Sequence, residues 1–193
     1  MSRMLLLGTG GPLGVFATIT DSFDRAPSSS SLGNTDTGQA WVAVLGTWGI
    51  SGNLAYVATP DAGGTDLAYV EASENDVAVQ VTFTTVDQGH RLIGRYVDAS
   101  NYLFVSAEGG GAAYALYKRV AGVNISLGSY AVSIANGDVL KLNMNGNDLT
   151  VYLNGTSRIT ANNAFNNTAT KHGIGVTSFT THRWNDFSIA AAA

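Results

Sequence analysis

The chain has 193 residues, 45% hydrophobic and 12% charged, with 23 Gly, 3 Pro and no Cys. Roughly a quarter of an average soluble domain is charged, so this is a charge-poor chain, long enough to bury one sizeable core; the lack of Cys excludes a disulfide framework, a thiol nucleophile and a thiolate zinc site. A net charge of −4, from 10 Lys and Arg against 14 Asp and Glu, offers no basic field to phosphate backbones, so no nucleic-acid partner is expected.

The first twenty residues stand apart. Met4, Leu5, Leu6 and Leu7 form an apolar tip, Gly8-Thr-Gly-Gly-Pro-Leu-Gly14 a hinge, and Val15-Phe-Ala-Thr-Ile-Thr20 a strand-like run. The tip is shorter than the roughly 7–15 residues of a secretory h-region, and no apolar run approaches the roughly 20 residues of a membrane-spanning helix. Neither a signal peptide nor a membrane is therefore expected. The glycine run lacks the Gly-Lys-Ser/Thr of a phosphate loop. We expect an N-terminal arm over 1–20, with Met4, Leu5, Leu6, Leu7, Val15 and Phe16 serving assembly, ahead of one domain over 21–193. In this reading residues 15–20 add as a strand to the sheet edge of another subunit.

Residues 21–43, with Ser28-Ser-Ser-Ser31, read as a loop plus a short entry strand. Beyond residue 38 the period is two. Val77, Val79, Val81 and Phe83 alternate with polar or small residues, as do Leu140, Leu142 and Met144, and Leu149, Val151 and Leu153; this is the pattern of half-buried antiparallel strands. Further strands are expected over 53–58, 67–72, 90–97, 101–107, 112–120, 123–130, 171–178 and 183–190. Asn145-Gly-Asn147 and Asn154-Gly155 supply hairpin turns. The chain reads as all-β, a two-sheet antiparallel jelly-roll sandwich, with Trp41 and Trp48 filling its core. Its first strand, near Phe23, is expected to pair with the last, near Phe187.

Several phrases occur together and in order: Asp21-Ser-Phe-Asp-Arg-Ala26, Trp48-Gly-Ile-Ser-Gly-Asn53, Arg95-Tyr-Val-Asp-Ala-Ser-Asn-Tyr102, Tyr117-Lys-Arg-Val120, Val151-Tyr-Leu-Asn-Gly155 and Asn185-Asp-Phe-Ser188. This set resembles the concanavalin A-like, laminin-G-like jelly rolls of bacteriophage virion proteins and bacterial surface proteins. The resemblance implies a non-catalytic virion protein, decorating a capsid or forming part of a tail. Its partners would be other virion proteins and further copies of the chain. Because the same fold carries lectins and glycosidases, a carbohydrate-binding module for host-surface adhesion is the alternative, and a glycoside hydrolase the third reading.

Tyr96, Tyr102, Phe104, Tyr114 and Tyr117 cluster on three consecutive expected strands, interleaved with Arg91, Arg95, Lys118 and Arg119. Aromatic rings and fork-like donors on a concave sheet stack on and hydrogen-bond a sugar, which makes Arg95, Tyr96, Tyr102, Tyr114 and Tyr117 the candidate glycan-binding residues. The opposite parity of Tyr114 and Tyr117 means that one of them faces away. In the laminarinase-like branch, hydrolysis uses Glu-x-Asp-x-x-Glu on one strand; here Glu71, Glu74 and Asp76 have the wrong spacing, so no catalytic residue is expected. His90, His172 and His182 lack metal-ligand spacing and are expected at the surface or at strand edges. Oxygen-rich loops in this superfamily often hold calcium, for which Asp21, Asp24, Asn185 and Asp186 are the candidates; otherwise no cofactor or metal is expected.

Overall fold

The computed structural model describes residues 16–110, 112–177 and 180–193, and among these it contains fifteen strands and no helix. In chain order they are β1 (Ile19–Asp21), β2 (Val42–Leu45), β3 (Thr47–Ile50), β4 (Ala55–Thr59), β5 (Asp66–Glu71), β6 (Val77–Thr85), β7 (His90–Asp98) and β8 (Asn101–Glu108). They continue with β9 (Ala113–Val120), β10 (Val123–Ala131), β11 (Asp138–Asn145), β12 (Asp148–Leu153), β13 (Thr156–Asn162), β14 (Lys171–Val176) and β15 (Arg183–Ala191).

The strands form two antiparallel sheets. One has the order β13-β12-β11-β6-β15-β4-β3, with β1 also paired to β15; the other has the order β10-β9-β8-β7-β14-β5-β2. Between them lies a core to which both sheets contribute alternate residues: Val77, Val79, Val81 and Phe83 of β6 and Leu140, Leu142 and Met144 of β11 meet Leu103 and Val105 of β8 and Ile174 and Val176 of β14. Each such side chain contributes about 1.5–3 kcal/mol by leaving water. The architecture is the expected two-sheet jelly-roll sandwich.

Asn-Gly turns close hairpins where expected. Asn154 and Gly155, both at positive φ (50° and 78°), join β12 to β13, a backbone pair that Asn and Gly adopt with little strain. The Asn154 side chain also accepts the Val139 N–H at 2.8 Å.

Trp41 and Trp48 are buried with their indole N–H groups paired. Trp41 donates to Asp21 Oδ2 at 2.6 Å, and Trp48 to the Leu45 carbonyl at 3.1 Å.

The first strand does close against the last, Ile19 opposite Ile189 and Asp21 opposite Phe187, two residues earlier than Phe23. The expected intermolecular strand is thereby corrected over its described part. Thr20 pairs with Ser188 of its own chain, Ile19 is in the core and Phe16 packs against it. The reason is that β15 leaves a free edge along 187–189 and Ile19 has the parity to enter the core there, while pairing within one chain avoids the entropy loss of association. Met4, Leu5, Leu6, Leu7 and Val15 lie outside the described residues.

Candidate functional site

The β10-to-β2 sheet is apolar on both faces. Away from the interior core, Leu67 of β5, Ile93 and Tyr96 of β7, and Tyr102 and Phe104 of β8 form a second cluster, with Tyr69 and Tyr117 packed at its flanks. Period-two alternation produces this: Leu103 and Val105 go inward, so Tyr102 and Phe104 go outward.

The rings run in a row. Centroid separations are 5.1 Å for Tyr69–Tyr96, 6.0 Å for Tyr96–Tyr102, 5.5 Å for Tyr102–Phe104 and 5.1 Å for Phe104–Tyr117. Between β5 and β7, β14 contributes bare backbone at Gly173 and Gly175. A Cβ at Gly173 would lie 2.0 Å from the Ala68 carbonyl oxygen, and one at Gly175 would lie 2.7 Å from Leu67 Cδ2. Glycine there lets the neighbouring strand and side chains close over β14.

At the Phe104–Tyr117 end the face opens into a hollow of about 330 Å³, walled by Arg91, Ser106, Glu108, Tyr117, Asn124 and Thr177. Strand register assembles it: Arg91 lies opposite Ser106, Phe104 opposite Tyr117, and Asn124 opposite Arg119. The Arg91 side chain lies over the Phe104 ring, Cζ 4.5 Å from the centroid. Its Nη1 donates to the Tyr102 hydroxyl at 3.3 Å, its Nε has no partner, and the residue is only 6% exposed. Burial pulls its pKa down, opposed by Tyr102 and Glu108 and reinforced by Arg119. Arg119 donates from Nη1 to Asn124 Oδ1 at 2.8 Å and from Nε to the Ala99 carbonyl at 3.2 Å, so Asn124 is held in place at the rim. Burial raises the phenol pKa of Tyr102 and of Tyr117 and pushes that of Tyr96 up to about 12; these phenols are neutral, and since Tyr96, Tyr102 and Phe104 are buried, Tyr117 is the ring that lines the hollow.

Of the candidate glycan residues, Tyr96, Tyr102 and Tyr117 share this face, whereas Arg95 and Tyr114 do not. The β7–β8 register shifts between Gly94 and Asp98, and Arg95 at φ 47° turns toward the end of the sandwich. There its Nη2 donates to the Gly146 carbonyl and lies 3.6 Å from Asp76 Oδ1. Tyr114 points into the interior core and its hydroxyl donates to Asp138 Oδ2 at 2.8 Å. Sequence reasoning placed Arg91 only among the interleaved cations and missed Tyr69, Ser106, Glu108, Asn124 and Thr177. Parity with Tyr102 and Phe104 along β8 was the signal that would have found Ser106 and Glu108.

The other candidates fall elsewhere. Glu71 is exposed at the end of β5 and accepts the Ser73 N–H at 3.2 Å; Glu74 is exposed in the turn beyond it. The histidines are buried, which corrects the expected surface or edge location. Each occupies an inward position against the core or the sandwich ends. His90 stacks on Phe83 at 3.9 Å and 6° and meets Trp184 edge-on at 4.3 Å, with neither ring nitrogen hydrogen-bonded. His172 Nδ1 accepts the Arg95 N–H at 3.2 Å and its Nε2 pairs with the Glu74 carbonyl at 3.2 Å; burial lowers its pKa to about 4. Of the calcium candidates, Asp21 and Asp186 line one groove, and the buried Asn185 Oδ1 has no hydrogen-bond partner. The carboxylate of Asp21 is taken up by Phe23 N–H, Arg25 and Trp41, Asp24 is exposed, and Asp186 reaches Thr82 Oγ1 at 3.5 Å. Among the described residues no group of three or more His, Asp or Glu is placed to hold a metal.

No family model matches the chain, and no curated protein is similar to it at a significant level. Solved structures are similar in fold. A carbohydrate-binding module from Bacillus subtilis is 17% identical with a TM-score of 0.59, over 79% of this chain and 92% of that one. A β-glucanase from Bacillus licheniformis is 11% identical with a TM-score of 0.57, over 95% and 99%. Domain 4 of an extracellular arabinanase from Geobacillus stearothermophilus, in complex with arabinotriose, is 14% identical with a TM-score of 0.51, over 91% and 92%. These identities establish the fold alone: the chain is a two-sheet antiparallel jelly-roll sandwich.

Proposed function

We propose that the protein is a non-catalytic glycan-binding module, used for adhesion, whose site is the Arg91–Tyr117 hollow on the outer face of the β10-to-β2 sheet. The observation that carries this reading is the hollow at the end of the buried ring row, which combines a ring face (Tyr117), a fixed guanidinium (Arg91), a carboxylate (Glu108) and an amide (Asn124). A sugar offers the complement, an apolar C–H face beside hydroxyls that both donate and accept. Structural similarity to a carbohydrate-binding module and to glycanases supports the reading at the level of fold. Among the described residues Glu108 is the single carboxylate lining the hollow, whereas glycoside hydrolysis generally uses a pair, which supports binding without turnover.

The setting we propose is a virion surface, as the sequence resemblance implies, with other virion proteins or further copies of the chain as partners and a cell-surface glycan as target. Residues 2–14 precede β1, so deleting them should leave the sandwich folded; loss of self-association on deletion would assign assembly to them. Affinity electrophoresis against a panel of soluble polysaccharides, run beside a reducing-end assay, tests the function. Retardation by at least one polysaccharide, lost in Tyr117→Ala and Asn124→Ala, with no release of reducing ends, is the expected result. Release of reducing ends that Glu108→Gln abolishes would replace binding with catalysis, and no retardation by any polysaccharide would reject the site.

A further inference from the structure

Among the described residues, Arg25 and Arg95 each have a carboxylate, Asp21 and Asp76 respectively, and Arg91 has none. Arg91 is nonetheless the more enclosed of the hollow's charges, 6% exposed, with Nε unpartnered and one nitrogen spent on the neutral Tyr102 hydroxyl. A buried cation with no ion pair costs several kcal/mol, a cost that an anion entering the adjoining hollow would offset. Glu108 lines the same hollow and attracts the Arg91 charge without reaching ion-pair distance, while Arg119 lies near enough to repel it.

Resting on the glycan-binding reading above, we propose that this hollow selects an acidic sugar, one bearing an anionic oxygen group that the Arg91 guanidinium receives. The planar guanidinium fork matches a carboxylate in a bidentate pair, so the carboxylate of a uronic or sialic acid is the preferred group. Phe104 beneath and Tyr102 beside the guanidinium fix its plane. The sugar ring then lies against Tyr117, with its hydroxyls on Asn124 and Glu108. Glu108 opposes the anion electrostatically, and the balance of Arg91 and Arg119 against one carboxylate leaves the hollow cationic within a chain of net charge −4.

The test is ligand titration of the intact chain, followed by isothermal calorimetry and by the Arg Nε–H resonances. The probes are D-glucuronate, D-galacturonate, N-acetylneuraminate, glucose 6-sulfate and D-glucose. We expect at least one sugar acid to bind ten-fold or more tighter than D-glucose, and to shift the Arg91 Nε–H signal. Arg91→Gln should weaken that sugar acid by ten- to about a hundred-fold, with Arg91→Lys recovering only part. Should Arg91→Gln fail to fold, Glu108→Gln serves instead: by removing the opposing charge it should raise the ratio of sugar-acid to D-glucose affinity several-fold, and an unchanged ratio would overturn the inference. Glucose 6-sulfate binding as tightly as glucuronate would keep the acidic-sugar class and set aside the carboxylate preference. D-Glucose binding as tightly as the acids overturns this inference while leaving the glycan reading intact. Inorganic phosphate competing as well as the sugar acids, with no effect of Tyr117→Ala, also overturns it. No binding by any probe, together with no retardation by any polysaccharide, rejects both.

Discussion

The guanidinium carbon of Arg91 lies 4.5 Å from the centroid of Phe104, one strand away on the outer face. A desolvated cation over an aromatic ring is stabilised by about 2 kcal/mol. Here the contact also fixes the plane of the guanidinium at the wall of the hollow. Phe104→Leu keeps an apolar side chain and removes the platform. It should weaken acidic-sugar binding about five- to ten-fold, measured by calorimetry below the unfolding temperature, while the circular dichroism spectrum stays the same. Unchanged affinity would show that the ring does not orient Arg91.

Asp21 is the acceptor that ties β1 to the Trp41 segment, taking N–H groups from Phe23 at 2.9 Å and Trp41 at 2.6 Å and pairing with Arg25. Asp21→Ala strands two buried donors and one cation, and should cost about 3 kcal/mol. Urea unfolding should show a lower midpoint with the same slope; a shift worth under about 0.5 kcal/mol would contradict this account of the strand closure.

The buried histidines set the pH dependence of stability. His172 is held near a pKa of about 4 by burial, and burial lowers His90 and His182 as well, against an unfolded value near 6.5. Between those limits the unfolded chain binds more protons than the native one. The stabilisation is therefore complete above about pH 6.5 and is lost as pH falls toward 4, His172 alone accounting for on the order of 3 kcal/mol. His90 packs among rings with both nitrogens unpaired, so His90→Phe should leave stability at pH 7.5 equal or higher and make the fall toward pH 5 shallower. Parallel pH curves for the variant and the parent, from urea midpoints, would contradict the assignment.

At Gly173 a Cβ would approach the Ala68 backbone oxygen to 2.0 Å, whereas at Gly94 it would approach the flexible Met144 Sδ to 2.8 Å. Backbone cannot yield as a thioether can. Gly173→Ala should therefore cost more than about 3 kcal/mol and Gly94→Ala only about 1 kcal/mol. Equal thermal shifts for the two would show that β14 tolerates separation from β5.

The fold was legible wherever alternation was strict. β6 and β12 each bury one parity, and β11 does so apart from the buried Asn143; Val77 to Phe83 or Leu149 to Leu153 can be read in no other register. β13 escaped notice because it is an edge strand whose single buried residue is Ile159, leaving no period to detect. β7 and β8 lie across the middle of a sheet apolar on both faces, so their burial is nearly continuous and alternation cannot say which aromatics face out. That ambiguity placed Tyr114 and Arg95 in the site. For Tyr114, parity against Tyr117 already carried the answer. For Arg95, the register shift at Gly94 that redirects the side chain leaves no trace in residue type. The pairing of Arg91 with Ser106 and of Phe104 with Tyr117 depends on cross-strand register, which two hairpin turns fix in space but which composition does not express.

The most direct test of the account maps binding onto the sheet. Backbone and Arg Nε–H shifts of the isotope-labelled chain are recorded as a bound polysaccharide or sugar acid is added. The account predicts shifts concentrated at Gly89, Arg91, Ser106, Glu108, Tyr117 and Asn124, and absent from the opposite face around Asp36, Gln80 and Asp186. Shifts gathered on that opposite face, with Arg91 unmoved, would contradict it.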